Sequence, residues 1–113
     1  MQARPHRILH IATRTDWKAA ASSSDYTVAT LETEGFIHCA EPGQIDGVAA
    51  RYFRGCSELV LLEVDPDRVG VRIVWEESAG AGQIYPHVYG PIPVAAVTSA
   101  TDITVDAEGV IRH

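Results

Sequence analysis

Apolar and polar residues alternate with the period of a strand in several short segments of this chain, and two other stretches have the pattern of a helix. Arg7 to Ala12 alternates into a first strand. Thr13, followed three residues later by Asp16, has the spacing of a capping box, and Trp17 to Ala21 is good helix material that Ser22-Ser23-Ser24-Asp25 ends. Tyr26 to Thr33 shows no clean period and is expected as loop or irregular strand, whereas Gly35 to Ala40 reads as a second main strand. Glu41-Pro42 opens a second helix, because proline in a first turn lacks only an N–H that would have no partner there. Ile45, Val48, Ala49, Tyr52 and Phe53 then form one apolar stripe, Gly55 supplies the stop, and Tyr52 and Phe53 are expected in the core.

The second half is strand-rich. Glu58 to Val64 is a nearly unbroken apolar run of strand length, expected to be central and covered on both faces. Asp65-Pro66-Asp67 is a turn, Val71 to Trp75 another strand, and Ser78 to Gly82 a small-residue loop ahead of the next strand. Gly90 to Pro93 makes a bend, Val94 to Val97 a short helical turn, Ala100 to Val105 a final strand, and Asp106 to Gly109 a terminal turn. The late strands follow one another without intervening helices, which predicts an α+β fold with a mostly antiparallel sheet and two main helices. Residues 1–113 are expected to form a single small domain, since one core typically serves ~100–150 residues.

Charge and composition narrow the function. The apolar fraction of 46% is ordinary for a globular protein. No apolar run approaches the ~18 residues that cross a bilayer, and no h-region follows the charged start, so neither membrane span nor signal peptide is expected. Fifteen acidic residues against nine basic ones give a net charge of −6, which argues against binding duplex nucleic acid. Cys39 and Cys56 are the only cysteines and neither has a CxxC partner, which favours reduced thiols and a cytoplasmic location. Cys39 follows His38 directly, so in a strand it faces the opposite way, toward the core.

Three histidines stand among apolar neighbours: His10 in Ile8–Ala12, His38 in Gly35–Cys39, and His87 in Ile84–Gly90. Strand alternation puts Ile8 beside His10, Phe36 beside His38, and Tyr85 and Tyr89 beside His87. Converging faces of this kind would make an aromatic-edged cleft bearing three imidazoles. Such a cleft suits hydrogen bonding or acid–base work on an organic ligand, because imidazole titrates near neutral pH and flat aromatic faces stack on a nicotinamide or a base. Three imidazoles also suit a catalytic zinc, but most zinc sites take two ligands from one short element and these histidines lie far apart, so no metal is expected. Glu76 and Glu77 follow Trp75 at a strand end, where solvation is a plainer expectation than orienting a histidine or a ligand hydroxyl.

The segments Gly35-Phe36-Ile37-His38-Cys39, Leu59 to Asp65 and Tyr85-Pro86-His87-Val88-Tyr89-Gly90-Pro91 strongly resemble a bacterial family, domain-of-unknown-function family 952, and His10 followed by Asp16-Trp17 fits the same pattern. The resemblance runs from about Arg7 to Thr104. More distantly the layout resembles a minimal ADP-ribosyltransferase fold, whose sheet is split. That likeness implies His10 at the nicotinamide ribose, His38 at the nicotinamide, and His87 at a third position that is often glutamate in the family. Phe36, Tyr85 and Tyr89 would line the pocket. It implies NAD as a substrate rather than a permanently bound cofactor, with RNA or protein as acceptors. Histidine in place of glutamate leaves a transferase, a non-catalytic nucleotide-sensing or interaction module, and a histidine–metal hydrolase as competing readings.

Overall fold

The central strand of the molecule is the apolar run identified above, and its neighbours explain why it is apolar. The computed structural model describes residues 6–77 and 82–113. Strand β4 (Leu59–Val64) lies between β1 (Ile8–Thr13) and β8 (Val97–Val105), all antiparallel, with β9 (Ile111–Arg112) beyond β8. Leu59, Val60, Leu62 and Val64 are buried, with cover on both faces of the sheet. A second sheet has the order β3 (Ile37–His38), β6 (Ile84–Val88), β5 (Ile73–Glu77), and β2 (Asp25–Tyr26) pairs with β7 (Ile92–Pro93).

Strand alternation divides β1 between two apolar clusters. Ile8 and Ala12 face one, with Val60, Leu62 and Val64, and Ala20 of helix α1 (Arg14–Ser23) closes it together with Tyr26, Ile37, Val88 and Ile92. Leu9 and Ile11 face the other, with Leu59, Ile103 and Val105, closed by Ile45 and Ala49 of helix α3 (Ile45–Tyr52) and by Tyr85. Each buried valine, leucine or isoleucine among them contributes ~1.5–3 kcal/mol. His10 occupies the first of these faces, between Ile8 and Ala12, where an apolar residue would be expected.

Most helix ends follow their sequence signals, although α3 closes at Phe53, two residues before the glycine expected to stop it. Thr13 Oγ1 accepts from the Asp16 N–H at 3.1 Å, and Ser24 ends α1 in the left-handed region at φ 69°, its N–H donating to the Ala20 carbonyl. Proline opens a 3-10 turn at Pro42–Gln44 before α3, with Glu41 and Gln44 capping each other reciprocally. The turn at Asp106 to Gly109 and the helical turn at Val94–Ala96 also form where expected.

Three expectations need correction. Tyr26 to Thr33, expected as loop or irregular strand, is strand only at its start, where Asp25–Tyr26 pairs with β7, and Ala29–Thr33 forms helix α2. Five residues are too few to display a helical period, and tertiary bonds hold the turn, with Thr30 Oγ1 donating to the Phe36 carbonyl at 2.9 Å. Gly35 to Ala40 is strand only at Ile37–His38, because the chain then changes sheets. The Cys39 N–H donates to the Pro86 carbonyl at 3.1 Å, while Leu9 and Ala40 exchange two backbone bonds of 2.7 and 2.8 Å. The strand expected at Val71 to Trp75 lies at Ile73–Glu77, set by pairing with β6. Of the loop expected at Ser78 to Gly82, only Gly82 lies among the described residues.

The result is a small α+β domain with a curled antiparallel sheet and few helices. No described helix is long and apolar enough to cross a membrane.

Candidate functional site

His10 is buried, at 8% exposure, and both of its nitrogens are engaged. Nδ1 lies 2.6 Å from the His38 carbonyl oxygen and Nε2 lies 2.7 Å from the Tyr26 hydroxyl. A carbonyl can only accept, so Nδ1 carries the proton and Nε2 accepts from Tyr26. Burial lowers the imidazole to a pKa of about 4, so the ring is neutral at pH 7. Burial also raises the Tyr26 phenol, with Asp16 adding to the shift, so this hydroxyl stays protonated. The pair is a fixed hydrogen bond between neutral groups.

A cavity of about 460 Å³ follows the edge of β1 past the point where Ala40 leaves it. Leu9, Ile11, Ile45 and Val48 make its apolar wall, and Tyr52, Phe53 and Tyr85 give it aromatic faces. The polar groups are His10, Tyr26, Asp16, Glu34, His38 and the threonines Thr13 and Thr30. No lysine or arginine is among the described lining residues. Hydrogen-bond acceptors and negative charge therefore dominate the polar part of the wall.

His38 stands at this wall, half exposed, with Nε2 at 3.2 and 3.3 Å from the two carboxylate oxygens of Glu34. A carboxylate accepts, so Nε2 carries the proton in the neutral ring and Nδ1 keeps its lone pair. Helix α2 ends at Glu34, and the positive φ of 87° at Gly35 turns the chain back into β3, which sets the two side chains face to face.

His87 belongs to a second compartment behind His38. Only 1% exposed, it stacks on Phe36 with centroids 4.0 Å apart and planes inclined by 14°. Its Nδ1 lies 2.9 Å from Glu76 Oε1, which also accepts from the Tyr89 hydroxyl. These two donors hold the Glu76 carboxyl below its ordinary value, and Glu76 in turn raises the Tyr89 phenol. The Arg72 guanidinium lies 4.8 Å from the Tyr89 ring centroid. The His87 and His38 rings meet edge to face at 5.2 Å, and Phe36 meets His38 the same way at 4.8 Å.

The three histidines thus come together, but in two compartments. His10, His38 and Tyr85 line the cavity, while His87, Phe36 and Tyr89 form the packed cluster behind it. Tyr52, expected in the core, is instead 58% exposed at the cavity, whereas Phe53 packs against the second apolar cluster as expected and also lines the cavity. Glu76 is not a bare solvated strand end, since it holds His87 and Tyr89. Sequence reasoning missed Tyr26, Asp16 and Glu34 as cavity residues. Glu34 had a readable signal, four residues before His38 and across a glycine turn; Tyr26 had none. Among the described residues no group of three His, Cys, Asp or Glu side chains is placed to hold a metal.

Comparison with known proteins agrees with the architecture. The crystal structure of protein CC0527 from Caulobacter crescentus is 37% identical, superposes with a TM-score of 0.82, and the match covers 94% of this chain and 93% of that one. The solution NMR structure of CC0527 is 38% identical with a TM-score of 0.78, covering 93% and 90%. No curated protein matches the chain. The family described as "Protein of unknown function (DUF952)" matches residues 11–100, most of the chain, and this protein therefore belongs to that family.

Proposed function

We propose that the cavity receives the nicotinamide-riboside end of NAD or of a related nucleotide, in the manner of an ADP-ribosyltransferase-like domain. The single observation that carries this reading is the composition of the wall around a hollow of about 460 Å³. Small-molecule sites usually enclose ~300–1,000 Å³ and combine apolar faces with a few placed polar groups. Asp16 and Glu34 bring carboxylates to the wall, and Thr13 and Thr30 add hydroxyls. Ribose hydroxyls, a carboxamide NH₂ and a pyridinium charge all complement such acceptors. Tyr52, Phe53 and Tyr85 supply faces for a flat cationic ring. With no lysine or arginine among the described lining residues, this reading keeps the pyrophosphate outside the hollow.

The histidines take different parts in this reading. His10 lines the ligand site as a ring fixed by Tyr26, His38 stands at the reacting end, and His87 acts through His38. Thermal shift against NAD, nicotinamide riboside and ADP-ribose tests the proposal. Ligand at ~100 times its dissociation constant adds ~2.7 kcal/mol of stability. NAD and nicotinamide riboside should both raise the melting temperature, and ADP-ribose less so. No shift with any of them would reject the reading. Binding without release of nicotinamide would identify a sensing module.

A further inference from the structure

We infer that His38, oriented by Glu34, is a general base that activates a hydroxyl nucleophile at the cavity wall. The inference rests on the nucleotide reading above and adds to it the class of acceptor. His10 cannot take this role, because both of its nitrogens are engaged by the His38 carbonyl and the Tyr26 hydroxyl. His38 differs in the one respect that matters. Its Nε2 faces a carboxylate at 3.2 and 3.3 Å, and its Nδ1 has no hydrogen-bond partner among the described residues.

The ring is also held from behind. Phe36 and His87 meet it edgewise at 4.8 and 5.2 Å, and His87 is anchored on Glu76 at 2.9 Å. Glu34 at the C-cap of α2, His87 from β6 and Glu76 from β5 are thus titratable groups around it, with the buried His10 ring on its carbonyl. A base whose opposite nitrogen donates to a carboxylate gains twice: the tautomer is fixed, and the imidazolium formed by proton transfer is stabilised.

The step balances as follows. The hydroxyl proton of water or an alcohol passes to His38 Nδ1, and the oxygen lone pair forms a bond to the ribose C1′. The C1′–N bond breaks, its electron pair goes to the nicotinamide ring nitrogen, and neutral nicotinamide leaves. The imidazolium, paired with Glu34, then returns its proton to solvent.

The test uses the full chain with NAD in water containing methanol. Nicotinamide should appear together with ADP-ribose and its O-methyl glycoside. His38→Gln should lower turnover ~100-fold or more with NAD affinity nearly unchanged, since positioned bases typically supply ~10²–10⁴-fold. His38 is half exposed, and the melting temperature checks that the variant folds. As a second arm, ¹⁵N imidazole spectra should place the neutral proton of His38 on Nε2 in the wild type and show a tautomer mixture in Glu34→Gln. NAD bound without nicotinamide release, release undiminished in His38→Gln, or a proton on Nδ1 would each overturn the inference while leaving the binding site intact. Failure to bind NAD would overturn the reading beneath it, and this inference with it.

Discussion

Tyr26 Oη and His10 Nε2 lie 2.7 Å apart, although the two residues sit on strands of different sheets and their rings meet edge to face. The bond joins the buried face of β1 to the β2–β7 pair and leaves each partner neutral. In Tyr26→Phe the imidazole nitrogen loses its donor inside the protein, and leaving a buried polar group unsatisfied costs ~1–3 kcal/mol. Urea denaturation should show a loss of that size with an unchanged slope. A loss below ~0.5 kcal/mol would mean that water replaces the hydroxyl and that the pair is not sealed.

Acidification should destabilise the protein through His10. Its folded pKa of about 4 lies below the ordinary 6.5, so between these values the unfolded chain binds a proton that the folded chain does not. Stability from this group is therefore complete above pH 6.5 and is lost as pH falls through that window toward 4. The full shift corresponds to a loss on the order of 3 kcal/mol. Unfolding free energies at pH 7 and pH 4.5 should differ by most of this amount in the wild type, and by much less in His10→Gln. Equal pH dependence in both proteins would reject the assignment.

Glu76 accepts from both His87 and Tyr89, and the hydrogen bond it takes from the Tyr89 hydroxyl raises that phenol above the ordinary range. Removing that carboxylate in Glu76→Ala should move the Tyr89 ionisation down toward ordinary phenol, because the neutral form loses its acceptor. Alkaline ultraviolet titration, with Tyr89→Phe identifying the transition, reads this directly. A transition unmoved by Glu76→Ala would show that desolvation sets it alone.

The two cysteines should react very differently. Cys39 is buried and its thiol is pushed up to about 12, whereas Cys56 is exposed. Thiolate is the reactive species, so iodoacetamide at neutral pH should label Cys56 in the folded protein and reach Cys39 only on opening. Peptide mass spectrometry over time distinguishes the sites, and matched labelling rates would contradict the burial.

Local chemistry made part of this fold readable. Thr13 and Asp16, Pro42, and the apolar run at Leu59 to Val64 each signal a structure that short-range forces determine, and each formed where expected. The histidines were legible for a related reason: polar side chains on apolar strand faces need partners, and His10 and His87 have them. Their division into two compartments was not legible, because it depends on the chain changing sheets between His38 and Ala40. Helix α2 was hidden by its brevity, and the cavity roles of Tyr26 and Asp16 arise from contacts across the sequence that no local period encodes.

Leu9 and Ala40, whose paired amides stitch β1 to the second sheet, also lie in the wall of the cavity. A guest that fills the hollow therefore rests against the seam itself, and binding should strengthen the two backbone bonds that close it. The amide protons of these two residues should exchange with solvent more slowly as guest concentration rises, making two backbone positions a built-in gauge of saturation.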